Sequence, residues 1–290
     1  MEIGKLGLWS ILDPLSAADS AAFARKVEQL GYSAMWIPEA VGREPFAHAG
    51  YLAANTERLI IATGIANIWA RDPMTMMAGA RTLAELSAGR FLLGIGVSHE
   101  PLVRVRGREF TKPYSYMRDY LPRMKSALYM AAKPKEEPPI VIAALHPKML
   151  ALAAEQTHGT HTYFVPPEHT ARARAAIGPK PWICAEQAVM LETDPGIARD
   201  AARNYMKTYT RLPNYANMLK ALGFTDADFA GGGSDRLVDA VVAWGNEEQI
   251  RERIAAHHRA GATHVCILPL RADKKPQPDQ RTMEALAPGR

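Results

Sequence analysis

FLLGIGVSHE, residues 91–100, decides how the rest of the chain is read. Four large apolar residues and two glycines run together as far as Gly96, and Val97 then leads into Ser98, His99 and Glu100. A short apolar run bounded by polar residues reads as a fully buried strand. Gly94-Ile95-Gly96 also opens like a dinucleotide fingerprint, which needs a third glycine three residues after the second. That position holds His99. The incomplete pattern makes a Rossmann NAD enzyme the weakest reading. What is left is a strand that delivers Ser98 and His99 to the rim of another kind of site. Its glycines suit close approach of backbone or ligand, or the small-residue layers of a tapering barrel.

On either side of this strand, strands and helices alternate. Strands are expected at residues 3–9, 33–38, 59–65, 140–143, 160–165, 182–190 and 263–270. Helices are expected at residues 16–30, 46–55, 73–86, 114–130, 148–156, 194–222, 234–244 and 247–260. Gly31 stops the first helix and Pro73 sits in the opening turn of the third. Residues 101–113 form a longer connection. KPKEEPP (133–139) is a Pro- and charge-rich loop, not a linker, because the alternation resumes at once. The tail from Lys274 is polar and partly helical at best. Eight strands interleaved with helices predict a (β/α)8 barrel with extra helices late in the chain, as one domain over residues 1–290. The rival is an open doubly wound sheet.

With 48% hydrophobic content in 290 residues, one large core is affordable. Two distant cysteines make no disulfide framework, so a cytoplasmic location is expected. MEIGKLGLWS carries no secretory pattern, and no apolar run reaches membrane-spanning length. The net charge of +5 is dispersed, which argues against nucleic acid and suits a small anionic ligand. A small-molecule substrate and a homodimer are the expected partners.

In a barrel of this kind, function gathers at the carboxyl ends of the strands. Those ends hold Trp9 and Ser10, Glu39, residues 67–71, Ser98 to Glu100, residues 144–146, residues 165–166 and residues 269–271. Glu39 is either a partner for an arginine such as Arg71 or a site acid. His99 is a candidate functional histidine. Trp69 can wall a pocket for a flat ligand, while Asn67 and Arg71 can bind a polar one or fix the loop. Trp36 is expected to pack against helices. His158 and His161 make a weak metal pattern, read instead as the start of a strand, so no metal is expected. His257 and His258 lie near a helix C-terminus, where positive charge suits the dipole.

TLAELSAGRFLLGIG (82–96), with the flanking IIATGIANIWARDP, resembles the luciferase-like monooxygenase superfamily, in particular its coenzyme F420-dependent branch. GKLGLW, GYSAMWIPE, PIVIAALHPKMLALAAEQTHG and AGATHVCILPL match it too, so the resemblance covers essentially the whole chain. It implies a bacterial-luciferase-like TIM barrel with a deazaflavin or flavin at the carboxyl ends of the strands. It implies a non-proline cis peptide in a bulge of the third strand, here Gly64–Ile65. It places Val97, Ser98 and His99 against the cofactor, and Ala143, Ala144, Leu145 and His146 near its phosphate, with Lys148 close by. The implied activity is F420-dependent hydride transfer to or from a small organic substrate, with His99 and Glu39 as acid/base candidates and Trp9, Trp69 and Arg71 in the substrate pocket. Related dehydrogenases carry an acidic residue followed by His at the second strand end, and an acidic residue after the fourth. Here Ala40 follows Glu39 and His99 occupies the second position, so the transfer of the relatives' sugar-phosphate and alcohol roles, and with it the substrate, stays open. An FMN-dependent monooxygenase fed by a separate reductase and a non-catalytic cofactor-binding protein are the alternatives.

Overall fold

Parallel pairing in the computed structural model, which describes residues 1–288, runs from strand to strand until it meets itself. The strands are β1 (Leu6–Trp9), β2 (Ala34–Ile37), β3 (Ile60–Thr63), β4 (Ala66–Asn67), β5 (Phe91–Gly96), β6 (Ile140–Ala143), β7 (Gly159–Thr162), β8 (Trp182–Leu191), β9 (Val242–Gly245) and β10 (His264–Pro269). β10 pairs with both β8 and β1, which closes the ring. β3 and β4 both pair with β5 and form one stave, interrupted at a cis Gly64–Ile65 peptide. The ring therefore has eight staves, and the (β/α)8 expectation holds.

Period-two alternation builds the two faces of this wall. Leu8, Met35, Ile61, Leu93, Ile142 and Ile267 join the cluster packed under the outer helices. Trp9, Trp36, Ala62, Leu92, Val141, Cys184 and Cys266 form a second cluster, inside the barrel. Both cysteines are buried and free. At Gly94 two staves approach closely, since a Cβ there would lie 2.0 Å from the Thr63 carbonyl oxygen. The Thr63 hydroxyl donates to the Gly94 carbonyl at 2.7 Å and accepts the Gly94 N–H at 2.9 Å. Backbone contact, not ligand approach, excludes a side chain from this position.

The structure corrects several expectations. The helix expected at residues 234–244 ends at Val241, and Val242–Gly245 is a strand lying parallel on the distal half of β8, outside the ring. The stretch 194–222 is two helices, Pro195–Met206 and Pro213–Ala221. A helix at Pro167–Ile177 follows β7, and the helix expected to reach residue 130 ends at Lys125. Trp36 packs inside the barrel, stacked on His161 at 4.6 Å and donating to His264 Nε2 at 3.1 Å. His257 is buried between Thr170 (2.8 Å) and Gln187 (3.0 Å), and burial lowers its pKa to about 3, so it carries no charge for the helix dipole near neutral pH.

Candidate active site

The interrupted third stave organises one side of the barrel mouth. Trp9, at the end of β1, donates from its indole to the Gly64 carbonyl at 3.1 Å, and the Ile65 carbonyl accepts the Glu39 N–H at 3.3 Å. The Glu39 side chain is buried, and its Oε2 accepts the Asn67 N–H at 2.7 Å. Arg71 pairs with Glu39 at 2.7 Å and with Glu44 at 2.7 Å, and Arg106 reaches the other Glu39 oxygen at 3.3 Å. Both carboxylate oxygens are thus engaged by cations, and the arginine-partner role fits this geometry. Asn67 in turn accepts the Trp69 N–H at 2.9 Å through its side chain. The Trp69 indole donates to the Val97 carbonyl at 2.9 Å, and its ring stacks on Tyr116 at 4.1 Å. Trp69 and Arg71 open on a cleft of about 580 Å³ shared with Asp72, Thr75, Arg108, Glu109 and Tyr116. Trp9 instead tilts against Tyr163 at 5.0 Å, so the two tryptophans wall different spaces.

Ser98 takes a left-handed conformation (φ 57°), which turns the chain out of β5 and into the short helix Glu100–Arg104. His99, at its N-cap, faces Tyr215, with Nε2 3.4 Å from the Tyr215 hydroxyl and ring centroids 5.3 Å apart. Burial lowers the His99 pKa below its ordinary value, so the ring is neutral near pH 7. Tyr215 belongs to an aromatic group that sequence reasoning missed: Tyr163, Phe164, Tyr205, Tyr209 and Tyr215. The Tyr163 hydroxyl lies 2.8 Å from that of Tyr209 and accepts from that of Tyr205 at 3.2 Å. Tyr163, Tyr205, Tyr209 and His99 are each half-buried, and Tyr163 and His99 lie just past the carboxyl ends of β7 and β5. Beneath them lies Glu186 of β8, fully buried and also missed. A charged residue within the apolar strand WICAEQAVM, on the same alternation as Cys184, was the available signal.

The loop after β6 forms the far side. Ala144 donates its N–H to the His161 carbonyl at 3.3 Å, and the Leu145 carbonyl contacts His169 Nε2 at 2.9 Å. His146 precedes the helix Pro147–Gln156 and gives it no side-chain cap; Pro147 has no N–H, and Met149 and Leu150 donate to the His146 carbonyl at 3.1 and 3.0 Å, which leaves the Lys148 amide as the open one of the first turn. Lys148 is exposed in that turn. His146 Nε2 lies 3.1 Å from the carbonyl of Asn214, the neighbour of Tyr215. That contact ties this helix start to the His99–Tyr215 pair. Among the described residues, no three His, Cys, Asp or Glu side chains are grouped to hold a metal.

The family model described as luciferase-like monooxygenase matches residues 6–264. The chain belongs to this family. A relative from Mycobacterium tuberculosis, named as a coenzyme F420-dependent oxidoreductase, is 25% identical over 92% of this chain and 94% of its own. Two solved structures share the fold. An F420-dependent secondary alcohol dehydrogenase with an F420–acetone adduct superimposes with a TM-score of 0.77 at 15% identity, covering 99% of this chain and 97% of that one. A coenzyme F420-dependent tetrahydromethanopterin reductase from Methanopyrus kandleri gives 0.73 at 17% identity, covering 99% and 98%. No helix among the described residues is long and apolar enough to cross a membrane.

Proposed function

We propose that this luciferase-like protein is an F420-dependent oxidoreductase that moves a hydride between the deazaflavin and a small uncharged organic substrate. One observation carries the reading. An aromatic group at the strand ends is tied, through His146 and Asn214, to a helix start without a side-chain cap beside Lys148. That arrangement fits a flat ring with an anionic tail, because an open amide at a helix N-terminus and a lysine attract phosphate. The relative named for F420 dependence supports the same choice. When bound, F420 supplies two-electron hydride chemistry, and the protein supplies orientation and electrostatics.

The residues then divide by role. Gly64, Ile65, Val97 and Ser98 offer backbone to the ring, and Trp9 walls the site. Residues 143–146 and Lys148 receive the phosphate. His99, neutral and beside Tyr215, is placed for proton exchange with a substrate bound beside it. Glu39 holds Asn67, Arg71 and the Trp69 loop in register. The free thiols suit a reducing compartment, and cytoplasmic action is part of the proposal.

Titration with F420 and with FMN, followed by fluorescence, tests the cofactor. F420 is expected to bind at least tenfold more tightly. Tight FMN binding without F420 affinity would instead assign the protein to the flavin monooxygenases of the family. A second copy of the chain is the proposed partner. Leu86, Leu128 and Met130 stand exposed, the first on the helix Pro73–Leu86 and the other two on the segment that Arg81 and Thr82 tie to that helix at Ala127 and Tyr129. Light scattering should give twice the chain mass of 31.8 kDa; a monomer at micromolar concentration removes this part of the proposal.

A further inference from the structure

Glu186 has the surroundings of a working carboxylic acid. It is fully buried on β8, between Cys184 of the inner cluster and Ala188, which packs with Phe164 and the tyrosines. Phe164 adopts a left-handed conformation (φ 60°), and its N–H donates to Glu186 Oε2 at 2.9 Å. Glu186 Oε1 is buried with no hydrogen-bond partner among the described residues. A buried polar atom is rarely left unpaired without a reason.

Phe164, bonded to Glu186, also packs its ring against Tyr205, Tyr209 and Tyr215 at 6.0, 5.1 and 5.5 Å, which gathers several elements around the carboxyl. Tyr163 comes from the end of β7 and Cys266 from β10, opposite Glu186 in register. Tyr205 comes from the helix Pro195–Met206, Tyr209 from the turn after it, and Tyr215 from the helix Pro213–Ala221. His99 stands behind Tyr215. Among the described residues, no lysine or arginine pairs with Glu186. Burial without a counter-charge pushes its carboxyl up to about 8, against the smaller opposing effect of the Phe164 N–H. It is therefore largely a neutral O–H donor at pH 7.

We propose that Glu186, with the linked hydroxyls of Tyr163, Tyr205 and Tyr209, forms the donor set that receives the oxygen of an uncharged carbonyl substrate, and that Glu186 protonates that oxygen. A neutral acid beside a phenol, both in an apolar site, stabilises negative charge developing on oxygen. This assignment rests on the F420 reading above. In the reductive direction the substrate carbon gains a hydride with its electron pair, and the C=O π pair moves onto oxygen. The Glu186 O–H bond breaks to supply the proton. The substrate is reduced by two electrons and the reduced deazaflavin is oxidised by two. The Glu186 carboxylate then recovers a proton from water.

The test compares wild type with Glu186→Gln and Tyr163→Phe. Infrared spectra at pH 7 should show a protonated-carboxyl band that Glu186→Gln lacks. F420 affinity should stay within about threefold in both variants, which also confirms that they fold. With reduced F420 and either cyclohexanone or 2-cyclohexen-1-one as probe, Glu186→Gln should lower kcat about 100-fold, in the range of general acid catalysis. Tyr163→Phe should lower it about tenfold. The wild-type kcat should fall above pH about 8, a limb that Glu186→Gln should lose. F420 binding without the infrared band, without turnover of either probe, or with Glu186→Gln as fast as wild type overturns the Glu186 assignment alone. Absence of F420 binding by the wild type overturns both readings.

Discussion

Glu39 shows how much a single residue's role depends on its neighbours. Its position after AMWIP marks it as belonging to the barrel mouth, and the sequence leaves two roles open, arginine partner or acid. Only tertiary structure brings Arg71, Arg106 and the Asn67 amide onto the same carboxylate. Glu39→Ala should leave one largely buried guanidinium, one partly buried guanidinium and one buried N–H without their acceptor. Breaking one partner of a buried pair costs about 3–5 kcal/mol. Chemical denaturation should therefore show a midpoint well below wild type, with an unchanged slope. Glu39→Gln keeps an acceptor for Asn67 and should lose less. A wild-type midpoint for Glu39→Ala would mean the network contributes little. Glu186 was harder to find by reading, because an isolated carboxylate in a strand declares neither its facing nor its company. The tyrosines beside it lie 23 residues upstream and 19 to 29 downstream. Nothing local links them.

At the scale of elements, the eight staves were legible because apolar runs and their Gly or Pro boundaries are local properties. The break in the third stave was expected only through family resemblance, since Thr63 and Gly64 within IIATGIAN are also compatible with one continuous strand. β9 was read as the end of a helix for a related reason. LVDAVVAWG is apolar throughout its second half, and periodicity does not separate a buried helix turn from a short strand. What makes Val242–Gly245 extended is pairing with Ala188 to Leu191, some fifty residues away. β8 is long enough, at ten residues, to serve the ring with its first part and this extra strand with its second. The helices Pro195–Met206 and Pro213–Ala221 are thereby anchored over the mouth, where they deliver Tyr205 and Tyr215. An insertion read simply as extra helices thus carries part of the aromatic group.

For the molecule as a whole, the buried ionisable groups set opposing pH dependences. His161 and His264, inside the barrel, and His257, under a helix, are depressed by burial from 6.5 to about 4, 4 and 3 respectively. Between those values and 6.5 the unfolded chain binds more protons than the native one, so their contribution to stability rises with pH and is complete above about 6.5. It is lost as pH falls toward 4. Glu186 acts in the opposite sense, because its folded pKa is raised from 4.5 to about 8. Between these values the native state binds the extra proton, so stability falls as pH rises. From pH 4.5 to 6.5 three histidines outweigh one carboxyl and the balance is upward. From 6.5 to 8 these histidines no longer contribute and Glu186 alone among the four pulls stability down. Thermal unfolding of the protein without added cofactor should therefore give a maximum Tm near pH 6.5, with a steep acid side and a shallow alkaline one. Glu186→Gln should flatten the alkaline side up to pH 8 and leave the acid side steep. A wild-type Tm that keeps rising from pH 6.5 to 8 would show that Glu186 is already ionised in the native protein, and would remove the neutral acid from the site.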